Sequence, residues 1–305
     1  MNTTKIKRKK RDIKTILFLI CVFAWPTFCF VWSHIIVNIN AFTLAFATYD
    51  DVTRTFSYNA GFSNFITFFQ KLKFEQAFSD MLWRSLLNTF INLAFVPVPI
   101  LVSYMIYKKC PFSNFFIVVL FLPSVISSII WVISYKYMLE YIFPQVFKIK
   151  MVGSLLTGDH AFWYLQLYMI IMNFAGGLVL YTGAMGRIPT ELLEYGKLEG
   201  MGVWNELRYV IIPMIYPTLS VMLLAMPASI FTGSPNTFAF YGVGAPENTW
   251  TLGYYFFSLV VGTGGAKREG FGEASAAGLM MTLIIAPLTF LWKRFLDKRD
   301  PEAEY

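Results

Sequence analysis

Six uncharged, mostly apolar runs divide this chain, at 16–37, 85–106, 112–135, 161–186, 209–232 and 274–292. Each approaches or exceeds the roughly 20 residues that carry a helix across a bilayer core. Only 14% of the 305 residues are charged against 56% hydrophobic, and mean hydropathy is +0.55. An ordinary soluble domain carries about 25% charged residues, so water is not the main solvent of this chain. The pattern predicts an all-α integral membrane protein with six transmembrane helices. The first run follows the basic stretch Met1–Arg11, is longer than a signal-peptide core and lacks a small-residue cleavage site, so it reads as a retained helix.

Charge sets the orientation. With the N-terminus inside, the inner segments are 1–15, 107–111, 187–208 and 293–305, which hold 16 of the 25 Lys and Arg and 9 of the 18 acids. They carry the whole net charge of +7, the bias expected of cytoplasmic loops. Both termini are then cytoplasmic, with a basic N-terminus at 1–15, a transmembrane domain at 16–298 and a tail at 299–305. The 13-residue apolar stretch Thr249–Val261 is short for a span and reads as re-entrant or interfacial. Two outer segments, 38–84 and 233–273, are long enough to suggest function; the first should hold an amphipathic helix near 63–78.

Catalytic and metal chemistry find no support. Cys21, Cys29 and Cys110 have no metal-ligand or CxxC spacing, and His34 and His160 have no second ligand at i+3 or i+4. Gly262–Lys267 lacks both the spacing and the Ser or Thr of a phosphate-binding loop. No span carries a charge at mid-depth, where ion-coupled transporters usually need one. A secondary transporter and an intramembrane enzyme are therefore disfavoured.

The loop between the fourth and fifth runs, 187–208, is the most informative segment. Pro189 is placed to start a helix, Glu191 and Glu194 fall in its first turns where the helix dipole favours carboxylates, and Gly200 and Gly202 interrupt it. Val203–Tyr209 then reads as a second short helix leading into the next span. Ile188-Pro189, Glu191-Leu192, Glu194-Tyr195-Gly196, Gly200 and the tail Val210, Ile212, Pro213 resemble the Glu-Ala-Ala loop of permeases in binding-protein-dependent ABC importers. Tyr195 and Gly196 replace the two alanines and Glu199 replaces an aspartate, with the spacing kept. Ala41–Asp50, Gly61–Phe65, Ser85–Thr89, Phe121–Ile126 and Gly272–Ala277 are similar to segments of the maltose-type, carbohydrate-uptake first permease.

The resemblance implies a type I importer transmembrane-domain fold. It makes 187–208 the coupling loop, docked on an ATP-binding subunit through Glu191, Leu192, Glu194, Tyr195, Gly196, Glu199, Gly200 and Pro213, with Glu194 facing a basic residue there. Partners implied are a second permease, two ATP-binding subunits and an extracytoplasmic solute-binding protein, with no nucleic acid. This chain binds no cofactor; ATP and Mg belong to the ATPase chains. The cargo implied is an oligosaccharide, the alternative being a peptide, polyamine or phosphonate. Pro97, Pro99, Pro213, Pro217 and Pro227 are expected to break helices beside a cavity. The solute pathway is assigned to Trp131 and Tyr168 for stacking on a sugar face, and to Asn173, Gly176, Ser229, Thr232 and Gly233 for polar contact or close approach, with Gly177 beside them.

Overall fold

The computed structural model describes residues 13–147, 155–262, 265–266 and 268–300. The basic stretch up to Asp12, half of the Gly262–Lys267 segment and the tail beyond Asp300 lie outside the described residues, as does the side chain of His34. The described residues are predominantly helical. Among the described residues, five helical stretches are long and apolar enough to cross a membrane, and a bent pair makes a sixth if it counts as one span.

The first stretch comprises α1 (Ile13–Phe30), a π-helical turn at Val31–Ile36 and α2 (Val37–Leu44), so it outruns the 16–37 expected of it. A hairpin of β1 (Thr48–Asp50) and β2 (Thr55–Ser57) follows, then α3 (Ser63–Phe74). That amphipathic helix ends before 78 because Glu75 is extended at φ −93°, ψ 114°, and α4 (Gln76–Phe95) starts directly after it. The second span therefore begins nine residues before the predicted 85. Asp80 and Arg84 mark where the chain leaves the apolar run, yet both propagate the helix, and Arg84 donates to the Glu247 carbonyl at 2.9 Å. Val96 separates α4 from α5 (Pro97–Tyr107), since neither Pro97 nor Pro99 has an N–H to continue the ladder.

The third span is the largest departure. Instead of one helix over 112–135 the chain forms α6 (Ser113–Val125) and α7 (Ser128–Tyr137), with a 95° bend between the helical pieces. Ile126 and Ser127 are extended, directly after the ladder loses a donor at Pro123. A π-turn at Met138–Ile142 and the short α8 (Phe143–Phe147) complete this segment.

The fourth stretch, α9 (Ala161–Met185), is unbroken and packs along α5 and α6. The loop contains α10 (Thr190–Leu198) and α11 (Val203–Glu206). As expected of a helix leading into the next span, α11 runs through a π-turn at Leu207–Ile211 into α12 (Ile212–Leu224) and α13 (Met226–Thr232), one stretch over Val203–Thr232. The outer segment after it holds α14 (Thr237–Tyr241), a 3-10 turn at Glu247–Thr249 and α15 (Leu252–Val260). At nine residues α15 is too short to cross. It lies against α13, α16 and α4. A two-residue pairing of β3 (Val261–Gly262) with β4 (Gly265–Ala266) leads to α16 (Gly270–Asp297), which exceeds the predicted 274–292 at both ends.

Lipid gives apolar side chains no reason to leave it, so helix contacts rest on packing, small residues and interhelical hydrogen bonds. A Cβ at Gly177 would stand 3.2 Å from the Pro99 Cβ, so this glycine lets α9 approach α5. Ser103 Oγ donates across the same seam to the Leu178 carbonyl at 3.3 Å. One core cluster, including Ile100, Tyr181, Met185, Leu207 and Ile211, joins α5, α9 and the fifth stretch at the loop end. A second, with Phe68, Phe78, Phe231 and Leu252, joins α3, α4, α13 and α15 at the opposite end.

Candidate functional site: an exposed loop and an uncharged polar seam

In the loop, α10 is terminated by geometry that the sequence spacing encodes. Gly200 sits at φ +72°, its N–H bonds the Lys197 carbonyl at 3.0 Å, and the Met201 N–H reaches back to the Gly196 carbonyl at 2.9 Å. This is a Schellman close, and only glycine takes the left-handed position without strain. Gly196 is buried, and a Cβ there would meet Met201 Sδ at 3.5 Å, an ordinary contact. Leu193 packs inward on the first cluster. Glu191, Leu192, Glu194, Tyr195, Leu198, Glu199, Val203 and Trp204 face outward. Tyr195, 66% exposed, and Leu198, 84% exposed, form an apolar face beside the two glutamates. Leu198 and Trp204 were not singled out from the sequence, although their exposure extends the same surface. Pro213 lies apart from this face, in the first turn of α12 beyond the π-turn.

Within the spans, polar side chains converge on one seam. Ser85, Asn88, Thr89 and Asn92 stand at i, i+3, i+4 and i+7 of α4, hence on one face. Asn173 Nδ2 donates to Asn92 Oδ1 at 3.0 Å, Asn92 Nδ2 to the Asn88 carbonyl at 2.8 Å, and Gln166 Nε2 to Asn88 Oδ1 at 2.9 Å. The hydroxyls of Thr89 and Ser229 lie 3.2 Å apart, joining α4 to α13. Ser85 Oγ accepts the Leu252 N–H at 2.9 Å, which fixes the start of α15. Asn92 falls at the middle of Gln76–Tyr107 and Asn173 at the middle of α9. The seam grades from closed to open: Ser85 and Asn88 are buried, Asn92 is half-buried and Asn173 is exposed. Gln166 Oε1 is buried without a hydrogen-bond partner among the described residues.

The expected pathway residues separate. Asn173 and Ser229 belong to the seam; Thr232, exposed, bonds its own helix at the Ala228 carbonyl. Gly233 is where the chain passes close to the seam, since a Cβ there would stand 2.9 Å from Asn88 Nδ2. Gly176 gives no close approach, because a Cβ there would meet nothing within 4 Å. Tyr168 is fully buried against Tyr135 and Phe240, with ring centroids at 5.3 and 5.0 Å, and so offers no face to a solute here. Trp131 packs at the edge of that cluster. Lys136 and the Phe240 carbonyl tie the same cluster to α14. Burial, then the nearby Glu140 carboxylate, push Tyr241 up to about 12, so its hydroxyl remains a donor to the Leu156 carbonyl at physiological pH. Ser85, Asn88, Thr89, Asn92 and Gln166 were missed from the sequence, and their signal was the heptad-like recurrence of polar residues inside an apolar run.

No family model matches the chain. It is 25% identical over 264 residues to a probable starch degradation products transport system permease protein of Thermoanaerobacterium thermosulfurigenes, covering 79% of this chain and 82% of that one. It is 24% identical over 225 residues to a lactose transport system permease protein of Rhizobium radiobacter, covering 68% and 74%. In fold it is similar to a chain of a bacterial ABC transporter involved in the import of alginate, with a TM-score of 0.71 at 19% identity over 92% of this chain and 96% of that one. The chain is a homologue of sugar ABC-transport permeases, multi-pass in the membrane and built on the fold of an ABC importer permease.

Proposed function

We propose that this chain is one of two membrane-spanning permease subunits of an ATP-driven, binding-protein-dependent importer that carries an oligosaccharide by alternating access. The observation that carries the reading is the mid-membrane amide seam of Asn88, Asn92, Gln166 and Asn173, which is polar, uncharged and open at one end. Amides both donate and accept, as the hydroxyls of a neutral sugar require. The relatives that transport starch products and lactose support the solute class, and a similar alginate importer was solved with a pentasaccharide-bound periplasmic protein.

In this reading six spans cross with both termini in the cytoplasm, as the basic bias of 1–15, 107–111, 187–208 and 293–305 favours. The bent third segment then counts as one crossing. The α10 face docks on an ATP-binding chain, where ATP and Mg reside, with Glu191 and Glu194 offered to basic groups and Leu192, Tyr195 and Leu198 to an apolar groove. Gly196, Glu199 and Gly200 shape that helix and its close, and Pro213 starts the span that its motion drives. Asn173, Ser229, Thr232 and Gly233 line the solute path with the α4 amides, and Trp131 and Gly176 flank it. ATP-dependent closure of the ATPase chains would shift the loop and rock the helices between inward- and outward-facing states.

The test is affinity purification of the tagged chain from its native membrane in mild detergent. Co-purification of a second permease and an ATP-binding chain with ATPase activity is expected; recovery of this chain alone and inactive under several gentle conditions would overturn the reading.

A further inference from the structure

Glu206 closes α11 and is 4% exposed, yet it carries a carboxylate. Both of its oxygens accept from Lys108 Nζ, at 2.7 and 2.8 Å. Lys108 lies 98 positions away in sequence, at the C-terminal cap of α5. The bond therefore ties the loop to the cytoplasmic end of the second span, and Leu207, the next residue, is buried in the cluster that joins α5 to α9.

Both partners sit on levers that reach the seam. Val203–Thr232 is one helical stretch, so Glu206 shares it with Ser229. Gln76–Tyr107 is another, so the residue that caps it, Lys108, is continuous with Asn88 and Asn92. Away from the loop the two stretches meet again through Thr89 and Ser229. The same two helices are thus fastened at the loop and at the seam. A buried ion pair is weak evidence of stability, because well-packed apolar residues often do as well; its best-attested benefit is to fix one arrangement.

We infer that Lys108 and Glu206 are a positioning pair: they make the second span follow the loop, so that loop displacement moves the α4 wall of the seam together with the α13 wall. The inference rests on the reading of the loop as the ATPase-docking element. Without the pair, the loop would drive the fifth span alone and the π-turn at Leu207–Ile211 would absorb part of the motion.

The experiment uses the importer complex in proteoliposomes, with uptake of the carbohydrate held by its binding protein divided by ATP hydrolysed in the same vesicles, which cancels differences in yield. Glu206→Gln and Lys108→Met are each expected to lower uptake per ATP by about tenfold, within the roughly 5- to 150-fold range of intersite couplings, while ATP hydrolysis continues. The exchange Lys108→Glu with Glu206→Lys is expected to recover most of the loss, which a merely structural role for either side chain would not produce. If Glu206→Gln gives no complex, Glu206→Asp replaces it, keeping the charge but shortening its reach. Single variants that match the unaltered ratio, or an exchange that recovers nothing, overturn the inference and leave the importer reading standing. Vesicles of the unaltered chain that show no ATP-dependent uptake overturn both.

Discussion

Two glycines in α10 and its close, four residues apart, respond to the same substitution in opposite directions. Gly200 holds φ +72°, where a Cβ costs about 1–2 kcal/mol. Gly196 has ordinary helical geometry, and a Cβ there makes only van der Waals contact with Met201, so alanine relieves the roughly 0.5–1 kcal/mol that glycine costs a helix interior. Gly200→Ala is expected to lower the unfolding temperature of the purified complex and to speed proteolysis of the loop, whereas Gly196→Ala raises the one and slows the other. Both glycines were legible from spacing, but their reasons were not: a positive φ and the position of Met201 are tertiary facts. Likewise the departure at Tyr195 from a small residue leaves packing undisturbed because that ring points outward. In the seam, Asn92→Ala removes the acceptor of Asn173 and the amide bonded to Asn88. Each lost bond is worth about 0.5–1.5 kcal/mol, or two- to tenfold. The initial uptake rate at subsaturating solute is expected to fall by that factor per bond, with ATPase activity in the absence of solute unchanged.

Among the elements, those fixed by long apolar runs were legible and those fixed by side-chain partners were not. α9 matched its expected bounds to one residue because nothing interrupts its run. The second span was misplaced at its start because Asp80 and Arg84 ended the apolar run without ending the helix. The third failed for the opposite reason: its run is continuous, but whether Pro123 kinks or breaks a helix depends on what receives the freed backbone groups. The outer helix α3 shows the same dependence. Its inward face carries Asn64, which donates to the Ala45 and Ala47 carbonyls at 2.9 Å, and Lys71, bonded to Glu273 at 2.6 Å. Tyr255 Oη donates to the same Glu273 carboxylate at 3.0 Å. Glu273→Ala strands a partly buried ammonium and a phenol; discounted for their residual exposure, the cost is roughly 1–2 kcal/mol of local stability. Faster hydrogen exchange of the α3 amides, with exchange in α9 unchanged, is the expected signature.

At the scale of the molecule, the distribution of charge decides what energy source fits. In the five unbent stretches every described charged residue lies toward an end: Lys14 in the first, Asp80 and Arg84 in the second, Glu206 and Arg208 in the fifth, Glu273 and Lys293 onward in the last, while the bent third segment carries Lys136 and Glu140 beyond its bend. The seam midway between them consists of amides and hydroxyls, none of which titrates in the physiological range. Proton-driven carriers usually work through an ionisable side chain at depth, and the described residues of the seam include none. In the proposed reading the force enters from the loop end, where Glu194 is exposed on α10 and the Lys108–Glu206 pair ties that loop to the helices of the seam. Uptake into vesicles supplied with ATP is therefore expected to survive ionophores that collapse the proton and sodium gradients, and to cease when a non-hydrolysable nucleotide replaces ATP. Glu194→Lys is expected to lower uptake in the same assay without removing the chain from the membrane, since that side chain is exposed and makes no hydrogen bond or ion pair among the described residues. Uptake that tracked the ion gradients instead would overturn the ATP-driven reading.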